Sequence, residues 1–549
     1  MTEKKLEKIT TGIWNEVAED DNPFAAAACY CAGYDVYGDL LGKASYIEYL
    51  YVLFKLERPT ASQARLLEGL AIALANPGPR DHSVRAAMCA GVGGSTHASA
   101  LIGALSVGAG NLGGGREVYT AAQYWQACGT DLAAWCAMIK EPPVEERADV
   151  WVPMEHPPGF DPHGVSCSTP VRQTLEYLAE VGGVESLTWL HQNRLSLEAE
   201  AGFPLAMSGV AAAAMYSLGF SPEQSEMLYL LLRLPGAAVH SLEQEKLGWR
   251  KYPFHGDGLK LYRCLAADYD DVAAGEVLMS GPEKLEQFEE NWETSIGGWL
   301  PLEGKVYLRG REVLTELKNY RWHQYLLYGV SGKDSERVAR LFEGIWLISC
   351  SFPDPRLWNN QIGALAGTTR STGVLASSGA LAVTEATIYG LKPIKGAMDF
   401  LYRTEQKMSR GLALEEIIKA ELKKYRSIYG YGRPLRAQDE RVAPLMEFAH
   451  SMDAGRGKYT ELAFRVDEFL RSSKYGYSIN ISGVAAALMA DEGYTADEHY
   501  HLATLAFTAG VIPCYIDAIE KPAGAFFPVR VTCINYCGEQ NIKSWGKEA

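Results

Sequence analysis

The sequence predicts an all-α protein made of two tandem copies of one helical unit. Three observations carry this. Segments such as Ser62–Leu74, Pro170–Gly182, Ser186–Glu200 and Pro222–Leu232 set Leu, Ala and aromatic residues three and four positions apart, the spacing of one helix face. Alternating apolar and polar runs, which a half-buried strand needs, are rare. Third, short matches recur at a nearly constant offset. A-R-L-L-E-G-L at Ala64–Leu70 returns as A-R-L-F-E-G-I at Ala339–Ile345 (339 − 64 = 275). Ala90-Gly91 with Ser95-Thr96 returns as Ala366-Gly367 with Ser371-Thr372 (366 − 90 = 276). Ser208-Gly209-Val210-Ala211-Ala212 returns as Ser482-Gly483-Val484-Ala485-Ala486, and Gly219-Phe220 as Gly493-Tyr494, both 274 positions on (482 − 208). An offset held over so many positions reads as two diverged copies of one unit of roughly 270 residues.

The expected units are residues 1–280 and 281–549, joined in the acidic stretch Met279–Lys305. Dimers with two-fold symmetry are the commonest oligomers, so a fused pair is expected to form a pseudo-two-fold dimer within one chain, with room for further association of copies. Asn76–Pro79 and Pro157–Gly159 punctuate the first copy as turns. Gly108–Val118, G-A-G-N-L-G-G-G-R-E-V, contains G-x-G-x-x-G. The segment before it is too rich in Ala and Gly for a buried strand, so the run reads as a helix end and a tight turn rather than a dinucleotide loop.

Composition bounds the function. The chain has 549 residues, enough for two to four domains, and 47% hydrophobic against 22% charged residues suits an ordinary globular protein. A net charge of −15 argues against nucleic acid and anionic membranes as partners, while leaving room for a local basic pocket that binds a small anionic metabolite. The N-terminus has no apolar core or cleavage site, and no run reaches the roughly 18 apolar residues of a spanning helix, so a cytoplasmic chain is expected. The cysteines, with Cys29 and Cys31 as C-x-C and Cys533 and Cys537 as C-x-x-x-C, have no histidine close by, so no metal site is expected.

Ordered along both copies are motifs that resemble those of the citrate synthase family, including its short citryl-CoA-lyase-like members. In the first copy Leu112-Gly113-Gly114-Gly115 lies where the family has P-L-H-G-G, and Pro158-Gly159-Phe160-Asp161-Pro162-His163 resembles P-G-x-G-H-P. Pro204–Gly209 lies where N-V-D-G is usual, and Arg233…Gly236…His240…Glu243 resembles R-x-x-G-x-x-x-H-x-x-E. In the second copy Gly430-Tyr431-Gly432-Arg433-Pro434-Leu435 resembles G-x-G-H-P-L, Asp439-Glu440-Arg441 resembles D-P-R, and Asn480–Gly483 resembles N-V-D-G. The resemblance implies two units, each with a large and a small helical domain, the small ones at roughly 155–235 and 425–505. It implies chemistry that makes or breaks a carbon–carbon bond between an acyl-CoA and a ketone, with a CoA thioester as substrate and no covalent cofactor. There a carboxylate takes the α-proton, histidines polarise the two carbonyls, and arginines hold the carboxylates.

The departures fall on those catalytic positions. Where the family has its first histidine stand Gly113 and Tyr389; at the second stand Pro162, with His163 one place on, and Arg433; at the base stand Ser208 and Ser482. Serine is no carboxylate base, so any site is rebuilt. The anion-binding arginines survive better, as Arg172, Arg233 and Arg441. His163 reads either as a carbonyl-polarising group or as a surface or capping residue, and His240 as a structural histidine of the closing segment, near the substrate. Ser208 and Ser482 either orient a water or thioester or mark close helix packing. Arg433 reads as an oxygen-polarising cation or a salt bridge across the repeat interface. Arg116 and Glu117 form an ion pair at a helix start, or contact substrate and supply the missing carboxylate. Tyr389 donates to an enolate oxygen or belongs to the core. The expected function is a rebuilt carbon–carbon lyase or acyltransferase acting on an acyl-CoA or a related β-hydroxy or β-keto acid. The alternatives are an inactive ligand sensor or scaffold and a lyase acting on keto acids without CoA.

Overall fold

Helix signals in this chain are strongly written, and the structure obeys them. The computed structural model describes residues 8–183, 185–252, 259–261, 280–286, 288–289, 292–300, 303–433 and 438–546. The four helices anticipated above run Ala61–Leu74, Thr169–Gly182, Glu185–Ala201 and Pro222–Leu247. The last continues through Pro235 for fifteen residues beyond its anticipated end. Among the described residues the strands are short and lie in four small sheets, including the antiparallel sheets Trp14–Asp35 and Gly297–Glu312 that open each half. The fold is therefore predominantly helical, as the spacing predicts.

The two halves repeat each other down to single contacts. Thr96 and Thr372 each cap a helix, accepting from the backbone N–H three residues on. Ser221 with Gln224 and Thr495 with Glu498 form the same reciprocal capping box. Gly219 and Gly493 end helices at φ +74° and +79°, and the carbonyl of each accepts a lysine, Lys55 or Lys333. The repeated Ser-Gly has a packing cause. A Cβ on Gly209 would stand 2.4 Å from the carbonyl oxygen of Gly159, and one on Gly483 would stand 2.5 Å from that of Gly430. Each half has its own core, one drawn from Leu50–Leu232 and one from Leu327–Leu502. Residues within 155–235 and 425–505 contribute to these cores.

The halves meet through their chain ends and one strap. Strand Ile9–Thr11 pairs in parallel with Ile534–Tyr536, and Leu259–Leu261 with Trp292–Thr294, so each half's end meets the other's beginning. Trp545 packs in the core of the first sheet with Cys31 and Tyr34. The strap Glu145–Asp149 leaves the first half and lies on the second. Arg147 donates to Glu421 at 2.8 Å and to the Ser427 carbonyl at 2.5 Å, with its guanidinium 3.7 Å over Tyr425. One expectation is corrected here: Ala496–Ile519 is apolar and long enough to cross a membrane by length and composition. In this fold it breaks at Thr504–Thr508 and packs on Trp358–Thr368.

Candidate active site

In the first half three of the predicted residues, Glu117, Ser208 and Arg233, converge around the Gly113 turn. The helix Gly115–Cys128 starts from the glycine turn, in which Gly113 sits at φ +65°, a backbone that glycine reaches without strain. Its first turn carries Glu117, 1% exposed. The Glu117 carboxylate accepts from Gly113 N–H at 2.5 Å, Gly159 N–H at 2.8 Å and Ser208 Oγ at 2.8 Å, with His156 Nε2 at 3.7 Å. The Gly113 carbonyl in turn accepts from Tyr229 Oη at 2.9 Å and Arg233 Nη1 at 2.7 Å, and Arg233 is also paired with Asp81. Burial pushes the Tyr229 phenol up to about 12, so it stays a donor. Three donors and burial tie this carboxylate to the turns around it. Glu117, Ser208 and Arg233 each bond to the fold around the Gly113 turn.

In the second half the corresponding segments surround a cavity of about 100 Å³. Tyr389, Arg433, Arg441 and Ser482 all line it, with Asp439, Asn480 and His499 and an apolar wall of Ile345, Trp346, Ala503 and Phe507. Tyr389 stands edge-on to Trp358 and Phe507. Its phenol is raised by burial, against the lowering effect of Arg441 and Arg433. Arg441 holds Asp439 through two bonds of 2.9 Å, and Asp439 also accepts from Ile481 N–H at 3.0 Å. Burial works against ionisation of Asp439, but these bonds outweigh it and keep its carboxyl below the usual range. Arg433 pairs with Glu440 at 2.5 Å, a salt bridge within the second half rather than across the repeat interface. Ser482 opens the helix Ile481–Asp491, its N–H held by the Asn480 side chain at 3.0 Å. The adjoining residues 434–437, with Pro434 and Leu435 of the G-x-G-H-P-L-like loop, lie outside the described residues.

The remaining predicted residues lie elsewhere. Arg116 stacks over Tyr119 and Trp151 at 4.4 and 5.3 Å and faces Asp149 at 3.8 Å, a carboxylate that Lys392 of the second half reaches at 3.3 Å. It is not paired with Glu117. Arg172 sits one turn into its helix, bonds Thr169 and lines an open groove with Arg194 and Glu198, so it is not the counterpart of Arg441, which caps the start of Val442–Ser451. His163 keeps to its own turn, its N–H on Asp161 and its Nδ1 buried without a partner. His240 lies along its helix, 3.6 Å from Glu243. Sequence reading missed His156, Tyr229, Ala503 and His499. The last three were visible as a mismatch between copies: at 274 positions, Tyr229 aligns with Ala503, and Ser225 with His499. Among the described residues no cluster of three or more His, Cys, Asp or Glu could hold a metal ion.

No protein-family model matches the sequence, and the search of curated proteins gives no match. The structure is similar to solved structures. Citryl-CoA lyase from Hydrogenobacter thermophilus matches at 18% identity and TM-score 0.37, over 42% of this chain and 88% of that one. ATP citrate lyase from Methanosaeta concilii, solved with (3S)-citryl-CoA, matches at 15% and 0.36, over 58% of this chain and 51% of that one. Citrate synthase from Thermotoga maritima matches at 13% and 0.34, over 99% and 98%. Likeness of this degree is one of fold and assigns no activity.

Proposed function

We propose that this chain is a diverged, duplicated citrate-synthase-like protein whose second half keeps a working ligand site while the first half's equivalent has become structural. One observation carries the reading. Tyr389, Arg433, Arg441 and Ser482, from four separated segments, line one cavity, whereas Glu117 and Ser208 in the first half are both 1% exposed and bonded to each other. The chemistry that suits the second cavity is making or breaking a carbon–carbon bond beside a carbonyl, in an acyl-CoA or a related β-hydroxy or β-keto acid. Arg433 would meet a carboxylate or an oxygen that gains charge, and Tyr389 would donate to an enolate oxygen. Isothermal titration of the full chain with acetyl-CoA, CoA, oxaloacetate, citrate and short keto acids tests it. The expected result is binding by at least one of them, weakened about tenfold or more by Arg433→Ala. Binding by none of these compounds sinks the proposal.

A second reading, a ligand sensor without turnover, has its own support. Asp439, the carboxylate lining the cavity, is already held by Arg441 and Ile481. Steady product formation from a bound ligand, lost in Tyr389→Phe, excludes the sensor.

A further inference from the structure

We propose that the junction of the two halves is a binding site for a small oxyanion of the phosphate class, held between Arg116 of the first half and Lys392 of the second, and that the Asp149 carboxylate of the strap stands in for that anion. Neither cation lines the second-half cavity, so the inference does not rest on the reading of that cavity.

Arg116 and Lys392 are counterparts (392 − 116 = 276), at the offset already seen for Ala90 and Ala366. Each stands in the first turn of a long helix, Gly115–Cys128 or Leu391–Ser409. A cation there opposes the helix dipole, so both copies keep a charge that its own helix disfavours. The two side chains are 25% and 27% exposed. Among the described residues neither donates a hydrogen bond. Each has only an ion pair, to a different oxygen of Asp149, at 3.8 and 3.3 Å. Tyr119 and Trp151 flank the Arg116 guanidinium at 4.4 and 5.3 Å and orient its plane. Cations of both halves thus converge on one point with their donors unspent on protein acceptors.

The carboxylate at that point does not belong to the duplicated unit. Gly159 and Gly430 are counterparts by their contacts with Gly209 and Gly483. Between the preceding helix and Gly159 lie 18 residues (159 − 140 − 1), and between the preceding helix and Gly430 only 4 (430 − 425 − 1). The strap is therefore an addition to the first half. Without it the paired units bring two like charges together with no anion between them, an arrangement that repels. Asp149 answers this loosely. Its side chain is 41% exposed, and its one hydrogen bond, at 2.7 Å, comes from the N–H of Val150 beside it. The strap is anchored elsewhere, by Arg147 on Glu421 and by Glu146 on Lys407 and Arg403, so Asp149 can swing out while the strap stays in place. Glu226 also faces both cations but pairs with neither, and burial pushes its carboxyl up, so it opposes an incoming anion less than a full charge would. A phosphate, with several acceptor oxygens, meets the guanidinium fork and the ammonium in direct charge-assisted bonds that Asp149 does not form.

The test titrates inorganic phosphate, at constant ionic strength, into the full-length protein and its Asp149→Asn, Arg116→Gln, Lys392→Gln and Arg433→Ala variants. Asp149→Asn should bind phosphate about tenfold or more tightly than the wild type, because the competing carboxylate is gone. Arg116→Gln and Lys392→Gln should each weaken binding about tenfold or more, and Arg433→Ala should leave it unchanged. Hydrogen exchange over residues 148–151 should quicken in the wild type when phosphate is added. Asp149 lies exposed on the strap, so its variant keeps the test decisive if either cation variant fails to fold. Affinity in Asp149→Asn no higher than in the wild type overturns the stand-in role of Asp149. Binding that survives both cation variants, or that falls in Arg433→Ala instead, places the anion elsewhere and overturns the site. Phosphate bound by neither the wild type nor Asp149→Asn overturns the proposal, while acid or CoA binding in the second-half cavity stands or falls on its own titrations.

Discussion

The two halves share helices, caps and glycine contacts, yet one is filled where the other is hollow. Three exchanges account for the difference. Glu117, Tyr229 and Arg233 of the first half stand at the positions of Pro393, Ala503 and Phe507. The first set ties the Gly113 turn to three segments through charge-assisted bonds. The second removes the carboxylate and the cation, and trades a phenol ring for a methyl group. What remains is a space walled by Phe507 and Ala503, with Tyr389 and two arginines at its edge.

The largest expected effect breaks the filled half. Glu117→Ala leaves the Gly113 and Gly159 N–H groups and the Ser208 hydroxyl buried without a partner. Such groups cost about 1–3 kcal/mol each, so a loss of roughly 3–5 kcal/mol is expected from guanidinium unfolding. Ligand titrations on the second half should be unchanged. An effect below about 1 kcal/mol would show that Glu117 is not the tie proposed here. A matched pair then tests where the halves agree. Gly159 and Gly430 both sit at φ +88°, and a Cβ on either would lie 2.9 Å from the Cα of Gly209 or Gly483. Gly159→Ala and Gly430→Ala should each cost about 2–4 kcal/mol, through strain and backbone displacement, and by similar amounts. A large inequality between them would mean that the shared geometry is not shared support.

The fold was legible because its signals are local. Capping residues such as Thr96 and Thr372, the helix-ending Gly219 and Gly493, and the periodic apolar faces act within a few positions, and matching segments of the two halves carry them. That Tyr389, Arg433, Arg441 and Ser482 would share one cavity was legible for a related reason, since they lie in motifs with an order to compare. The bonds of Glu117 were not legible, since a glutamate beside a glycine turn looks the same in sequence whether it faces solvent or bonds Gly159 and Ser208 from distant segments. Spacing alone could not show that Arg172 lies one helical turn past the position of Arg441. His499 lies in no motif, and only position-by-position comparison of the copies, with Ser225 opposite, singles it out.

The next effect depends on pH and belongs to the second half alone. Burial lowers the pKa of His499 from 6.5 to about 4. The folded protein therefore resists a proton that the unfolded chain accepts. The stability linked to the neutral ring is complete above pH 6.5 and is lost as pH falls toward 4. A shift of about 2.5 units at 1.36 kcal/mol each corresponds to roughly 3 kcal/mol. Urea midpoints at pH 7 and pH 4.5 should show this acid loss in the wild type and a smaller one in His499→Leu. Equal acid sensitivity in the two proteins would place the loss at other groups.

The smallest effect on stability comes from making the hollow half resemble the filled one. Ala503→Tyr installs the side chain that occupies this position in the first half, directed at a cavity of about 100 Å³. Overpacking costs about 1–3 kcal/mol in a core already full, so a change near the low end of that range is expected here. The consequence for ligands is larger than for folding. With a phenol ring between Phe507 and His499, any acid or CoA compound that binds the wild type should bind at least about tenfold more weakly, a change of about 1.4 kcal/mol. The reverse substitution, Tyr229→Ala, should not create binding in the first half, because Glu117 and Arg233 still hold the Gly113 turn and leave no cation free for a carboxylate. If Ala503→Tyr binds as the wild type does, the ligand lies outside the cavity, and the contrast between the halves is one of packing rather than of function.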